Sequence, residues 1–356
     1  MTLRLVSGHL ARTVLAVWAL ASAVFLLSRH DVSTVARLAL PDTANVGPGG
    51  RPATPAAQRA ARQAVLHRLG LDLPLFYFTR SRASPARPGT WRWQGPHNQY
   101  HRWVAALLRG NLGTSYRTGE AVTARLRHAL AYTLPLTGAA AVLATLLAFG
   151  LGQRLAAGPW WQGPVRTVLA AVHALPLFVV ALVLLLVLAN PEVLAWFPAY
   201  GLAPAVEAEA GAGRFADYLW HLVLPVTALI ITALPELTLQ LDAALAQELR
   251  TPYATTARAK GLSEAAVVRH HALRNALLPT ITQLAELLPT LVAGAVVVEV
   301  VFALPGMGRL LVEAAAAHDY PVLVGGVLLT GAARILALLL ADLLYFWADP
   351  RIRWQA

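Results

Sequence analysis

The chain has 356 residues, of which 57% are hydrophobic and 13% charged, with a net charge of +11. Soluble domains carry about 25% charged residues, so this chain has too few to coat a water-facing surface. Its mean hydropathy of +0.55 agrees. It has no cysteine, which excludes disulfides, thiolate chemistry and Cys-ligated metals. The basic excess is almost all arginine, with Lys260 the one lysine, and it lies between apolar runs. Anionic lipid headgroups account for that pattern better than nucleic acid does.

A helix needs about 20 apolar residues to cross the hydrocarbon core of a bilayer, and about six segments qualify. The first is Leu10–Leu27, read as a retained anchor because no small-residue cleavage site follows it before Arg29 and His30. Leu130–Leu151 has no charged residue, and Val168–Ala189 follows it with His173, read as a buried, hydrogen-bonded histidine. Leu222–Leu241 carries Glu236, Leu284–Val301 carries Glu286 and Glu299, and Val322–Phe346 carries Arg334 and Asp342. The fold class is therefore an all-α integral membrane protein with a small external domain after the first helix. The chain divides into an N-terminal helix (1–28), an external segment (29–129) and a membrane core (130–356).

Basic residues in short loops set orientation. Arg154 and Arg166 flank the loop after the second span, and Arg250, Arg258, Lys260, Arg269 and Arg274 crowd the loop after the fourth. With Arg4, Arg12, Arg351 and Arg353 they share one side if both termini are cytoplasmic. In the external segment, 41–60 and 80–98 read as Pro/Gly-rich loops, with short helices at Gln58–Leu69 and Tyr100–Leu108.

The loop at 251–279, TPYATTARAKGLSEAAVVRHHALRNALLP, is too polar to span and too well patterned for a linker. Ala254–Lys260 suits a helix that Gly261 ends, because glycine tolerates the left-handed conformation after a helix. Ser263 then caps a second helix with Glu264 in its first turn, running to Leu278 before Pro279. By pattern alone this helix–Gly turn–helix is either an amphipathic connector lying on the membrane or a docking element.

The stretch TARAKGLSE at Thr256–Glu264, followed by HALRNALLP at His271–Pro279, closely resembles the EAA loop of ABC-importer permeases in the oligopeptide, dipeptide and nickel branch. Further blocks in the same order resemble the family. They are LGLDLPL (Leu69–Leu75), LLRGNLGTSYRTGEAV (Leu107–Val122), HLVLPVTAL (His221–Leu229), VVVEVVFALPGMGRLLVEA (Val296–Ala314), DYPVL (Asp319–Leu323) and ADLLYFWADPRIR (Ala341–Arg353). The chain departs from the pattern at Thr255-Thr256-Ala257, where the name-giving Glu-Ala-Ala would stand. It departs again in an insertion at Arg80–His101, and at Asp242, where relatives are commonly basic.

The resemblance implies a permease subunit of an ATP-driven, binding-protein-dependent importer in the cell inner membrane. Its implied partners are a second permease, two cytoplasmic ATPase subunits and an external solute-binding protein. Peptides are the first solute class it implies, with nickel chelates or other small solutes second. It further implies that Ala257, Arg258, Lys260, Gly261, Leu262 and Glu264 dock on the ATPase. The chain itself has no GxxxxGK[ST] phosphate loop, so it is read as no enzyme, binding no cofactor, with ATP used by the partner. Ionisable residues inside spans are costly and often functional. Glu236, beside Pro235, is the first candidate for the translocation path and Asp342 the second, while Glu299 and Asp342 both stand in blocks of the resemblance that point to architectural roles such as helix pairing or capping. His270 and His271 are adjacent and so face different sides of a helix, which argues against a shared metal. The alternative class is an ion-driven secondary transporter with Glu236 or Asp342 as its proton site, distinguished by needing no nucleotide.

Overall fold

The computed structural model describes residues 3–28, 54–68, 71–80, 90–199 and 212–348. The expected loops at 41–53 and 81–89, and Arg351 and Arg353, lie outside these. In chain order the elements are α1 (Leu3–Ser28), α2 (Pro55–Arg68), β1 (Phe78–Arg80), β2 (Trp91–Trp93), α3 (Gln99–Leu108), α4 (Val122–Ala156), α5 (Gln162–His173) and α6 (Leu177–Leu188). They continue with α7 (Ala212–Glu248), α8 (Pro252–Ala259), α9 (Glu264–Val267), a π turn (Val268–Ala272), α10 (Leu273–Val301), α11 (Met307–Ala316) and α12 (Tyr320–Ala348).

Among the described residues, three helical stretches are long and apolar enough to cross a membrane: Val122–Ala156, Ala216–Glu248 and Pro279–Val301. Shorter apolar stretches run over Ala11–Leu27 in α1 and Tyr320–Leu336 in α12. The segment read as one straight span at 168–189 is instead α5 and α6, bent by 100°. Pro176 causes the break: it disfavours a helical residue before it and lacks the N–H that would continue the ladder. His173 ends α5 and is exposed, not buried. Pro279, read as a boundary, lies inside α10, as Pro225 and Pro235 lie inside α7. Membrane helices tolerate proline because neighbouring groups satisfy the freed carbonyl.

Contacts divide the chain into two units, one holding 1–11, 128–310 and 332–356, the other 12–127 and 311–331. In the first unit α7 is central, packing against α5, α6 and α10. Its main core joins Leu136, Ala144, Leu185, Leu229, Leu291 and Val298, among others. Small residues allow the close approach: a Cβ on Gly294 would stand 3.0 Å from Leu177 Cδ2 and 3.3 Å from Leu229 Cδ2.

In the second unit an aromatic ladder joins α1 to α3. Phe25 stacks on Trp103 at 4.7 Å between ring centroids, and the Ser22 and Tyr100 hydroxyls share a hydrogen bond of 2.9 Å. Asn98 caps α3 by accepting from His101 N at 2.7 Å. The stretch 80–98, read as loop, contributes β2, which pairs antiparallel with β1 in the register Phe78 with Trp93, Thr79 with Arg92 and Arg80 with Trp91. Aromatic residues and threonine favour strands, but runs of three residues are too short for a period-two pattern to stand out.

Candidate functional site

The loop at 251–279 is built as a rigid bracket. Thr251 takes an extended conformation and Pro252 occupies the first turn of α8, where its missing N–H costs nothing. The helix ends in a Schellman motif: Gly261 N donates to Arg258 O at 2.8 Å and Leu262 N to Ala257 O at 3.4 Å. Gly261 has φ +83°, a conformation that costs an L-residue about 1–2 kcal/mol. Ser263 starts α9, its Oγ accepting from Ala266 N at 3.3 Å.

Arg258 closes the bracket. Its Nε donates to Glu264 Oε1 at 2.6 Å and its Nη2 to Oε2 at 3.1 Å, while Nη1 donates to Leu249 O at 2.9 Å. One side chain thus ties α8, α9 and the end of α7 together. The hydrogen bonds from Arg258 hold the Glu264 carboxyl below its usual pKa, and the guanidinium is raised in turn. Tyr253 donates to Glu248 Oε2 at 2.5 Å, and Asn275 Nδ2 donates to Tyr253 Oη at 3.2 Å. Burial first, then that bond to Glu248, pushes the Tyr253 phenol up. Below this polar layer Ala254, Ala257, Val267, Val268, Ala272 and Ala276 pack on Leu241, Leu245 and Leu249.

Of the six residues assigned to docking, Ala257 is buried in the bracket's own core, and Arg258 and Glu264 pair with each other. Lys260, Gly261 and Leu262 face outward, Leu262 being 41% exposed. His270 and His271 are exposed in the π turn, and no metal-ligand group occurs among the described residues.

The base of the bracket holds an ion pair that the sequence reading missed. Asp242, noted in the sequence as a departure from the family pattern, is buried on α7, and Arg166 on α5 clamps it with Nε to Oδ2 at 2.7 Å and Nη2 to Oδ1 at 3.0 Å. Two apolar helices brought side by side need a local countercharge for such a carboxylate.

Deeper in the same unit, a cleft of about 330 Å³ is lined by Leu177, Thr232, Glu236, Gln283, Glu286 and Thr290, among others. Glu236 from α7 and Glu286 from α10, two of the ionisable residues noted in the spans, meet here, and no basic residue lines the cleft. Thr232 and Thr290 spend their hydroxyls on carbonyls of their own helices. Asp342 lies on α12 beyond the part of that helix whose side chains are described, and Arg334 on the same helix is exposed.

Two further carboxylates account for three of the sequence blocks. Glu299 is fully buried and accepts from Thr133 Oγ1 at 2.5 Å, Gly308 N at 2.6 Å and Arg309 N at 3.1 Å. It caps α11, where anions are favoured. A Cβ on Gly306 would stand 2.1 Å from the Glu299 carboxyl carbon, and one on Gly308 would stand 2.4 Å from Val296 Cα. This accounts for the Pro-Gly-Met-Gly turn, and for Glu299 as the architectural residue the sequence pointed to. Asp319 accepts from Ser115 Oγ at 2.5 Å, Tyr116 N at 2.9 Å and Arg125 Nη1 at 3.2 Å. It thereby joins the Leu107–Val122 and Asp319–Leu323 blocks, whose spacing in sequence carried no sign of contact.

Apolar helices broken by proline, with a bracketed polar loop between two of them, define a multi-pass membrane protein. Residues 125–354 match the family described as binding-protein-dependent transport system inner membrane component, and the chain belongs to that family as a permease subunit. It is 36% identical over 307 residues to the di/tripeptide transport system permease protein of Pseudomonas aeruginosa (strain UCBPP-PA14), covering 82% of this chain and 84% of that one. It is 34% identical over 260 residues to the oligopeptide transport system permease protein of Bacillus subtilis (strain 168), covering 72% and 80%. It is 33% identical over 314 residues to the probable D,D-dipeptide transport system permease protein of Escherichia coli (strain K12), covering 83% and 85%.

Proposed function

We propose that this permease imports peptides by alternating access, driven by ATP hydrolysis on separate cytoplasmic subunits. The working assembly in this reading pairs it with a second, related permease, two ATPase subunits and an external solute-binding protein. Both termini are cytoplasmic, six spans cross the membrane, and the segment after the first span is external. The relatives named as peptide permeases support the solute class.

The observation that carries the reading is the bracket. A loop that transmits motion must not absorb it, and this one is clamped by Arg258 and Glu264 over an apolar core continuous with α7. It leaves Lys260, Gly261 and Leu262 outward as the contact surface, with Ala257 as support beneath. Leu262 is the apolar anchor for the ATPase groove and Lys260 its rim charge. Glu236 and Glu286 line the solute path, where two carboxylates suit the amino terminus of a peptide.

Affinity purification of the tagged chain in mild detergent tests this, beside a Gly261→Arg variant. An ATPase and a second permease should accompany the parent and be lost from the variant while it still inserts in the membrane. A parent that purifies alone and moves solute on an ion gradient without nucleotide sinks the reading.

A further inference from the structure

We propose that the β1–β2 hairpin rests on the membrane surface at the Ser28 end of α1, bound to anionic phospholipid headgroups. The register puts Phe78, Trp91 and Trp93 on one face of the hairpin, because opposed and alternate residues share a side. Phe78 is 52% exposed, Trp91 69% and Trp93 60%. Three large aromatic side chains within two three-residue strands are costly in water. They suit the headgroup layer, where an apolar ring and a polar N–H are both accommodated.

The depth of the hairpin follows from its attachments. Trp93 stacks on Tyr77, Tyr77 packs on Tyr100, and Tyr100 bonds Ser22 of α1. Ser22 is six residues from the end of α1 at Ser28, or about 9 Å along a helix axis. The apolar stretch of α1 ends at Leu27. Ser22 lies about 8 Å inside the Leu27 end of that stretch, so the ladder ties the hairpin directly to the apolar part of α1, and that attachment makes a membrane a better occupant than a soluble partner.

Charge selects the lipid. Between Asp72 and Glu120 the chain has no acidic residue and seven arginines. Arg92 on β2 and Arg102 on α3 are both exposed. The inference depends on membership of a membrane family and not on the direction of transport or its partners.

The chain has no cysteine, so Thr90→Cys, one residue before Trp91, carries a single nitroxide label and leaves all three aromatic residues in place. The full chain, purified with the subunits that accompany it, is placed in nanodiscs of phosphatidylcholine with or without phosphatidylglycerol. With phosphatidylglycerol, membrane-dissolved oxygen should relax the label more strongly than an aqueous nickel chelate does. Arg92 lies with Thr79 on the face opposite the aromatic rings and acts on the headgroups through its field, so adding Arg92→Gln should lower the membrane-seated fraction by up to about fivefold, the worth of one basic residue at an anionic surface. A label that nickel reaches freely in both lipids overturns the proposal. So does a label shielded from both reagents, which marks cover by a protein such as the binding protein, and so does equal immersion with and without phosphatidylglycerol.

Discussion

The loop bracket and the cleft are both built on α7 and α10, yet they treat polar groups in opposite ways. In the bracket, Arg258 is shared between Glu264 and Leu249 O, Glu248 is held by Tyr253, and Asp242 is clamped by Arg166. In the cleft, Glu236 and Glu286 face open space with no basic residue lining it. A lever needs each polar group committed, because every uncommitted one is a place to bend. A path needs the reverse, since a carboxylate already paired has nothing to offer a passing solute. Committed polar groups are what the proposed lever would need, and the open carboxylates of the cleft are what the proposed solute path would need.

The sharpest way to break this contrast is Arg166→Ala, which leaves Asp242 as an uncompensated buried charge. The loss should be about 3 kcal/mol, the low end for such a change because Arg166 is partly exposed. A thermal melt in detergent reads it, and the double variant Arg166→Leu with Asp242→Leu should recover most of it. A single variant that melts like the parent means that the pair does not brace the bracket.

A smaller effect comes from acid. The folded pKa of Glu264 lies below its unfolded value because Arg258 bonds the carboxylate. The pairing therefore stabilises the loop above the unfolded value, near 4.3, and is lost as pH falls through the lowered one. Protection factors at 258–266, with the intrinsic pH dependence of exchange divided out, should fall on acidification and become nearly insensitive to pH in Arg258→Ala. Unchanged acid sensitivity in that variant would assign the effect to another group.

The smallest stability effect should be Glu236→Gln, within about 0.5 kcal/mol because Glu236 makes no hydrogen bond or ion pair among the described residues, while peptide uptake falls. Uptake at the parent's rate, with the protein correctly inserted, removes Glu236 from the path.

Most of the bracket was legible in the sequence. The local signals were Pro252 at a helix start, Gly261 where φ must be positive, and Ser263 with Glu264 at the next start. What the pattern could not reveal was the direction of each side chain. Ala257 turns inward and Arg258 meets Glu264, because the Schellman turn folds α9 back beside α8. The hairpin was missed because strands of three residues carry no periodicity, and the break before α6 because an apolar run reads alike whether straight or bent.

By itself the sequence determined a membrane protein of apolar helices, the polar loop between the fourth and fifth expected spans, and the charges placed inside those spans. Those follow from composition and short-range backbone chemistry, which act within a few residues. Only the tertiary structure decided that Asp242 pairs with Arg166, that Glu299 caps α11 across nine residues, that Asp319 holds Ser115, and that Glu236 and Glu286 share one cleft. A buried carboxylate must find donors, but which ones it finds depends on how helices far apart in sequence pack together.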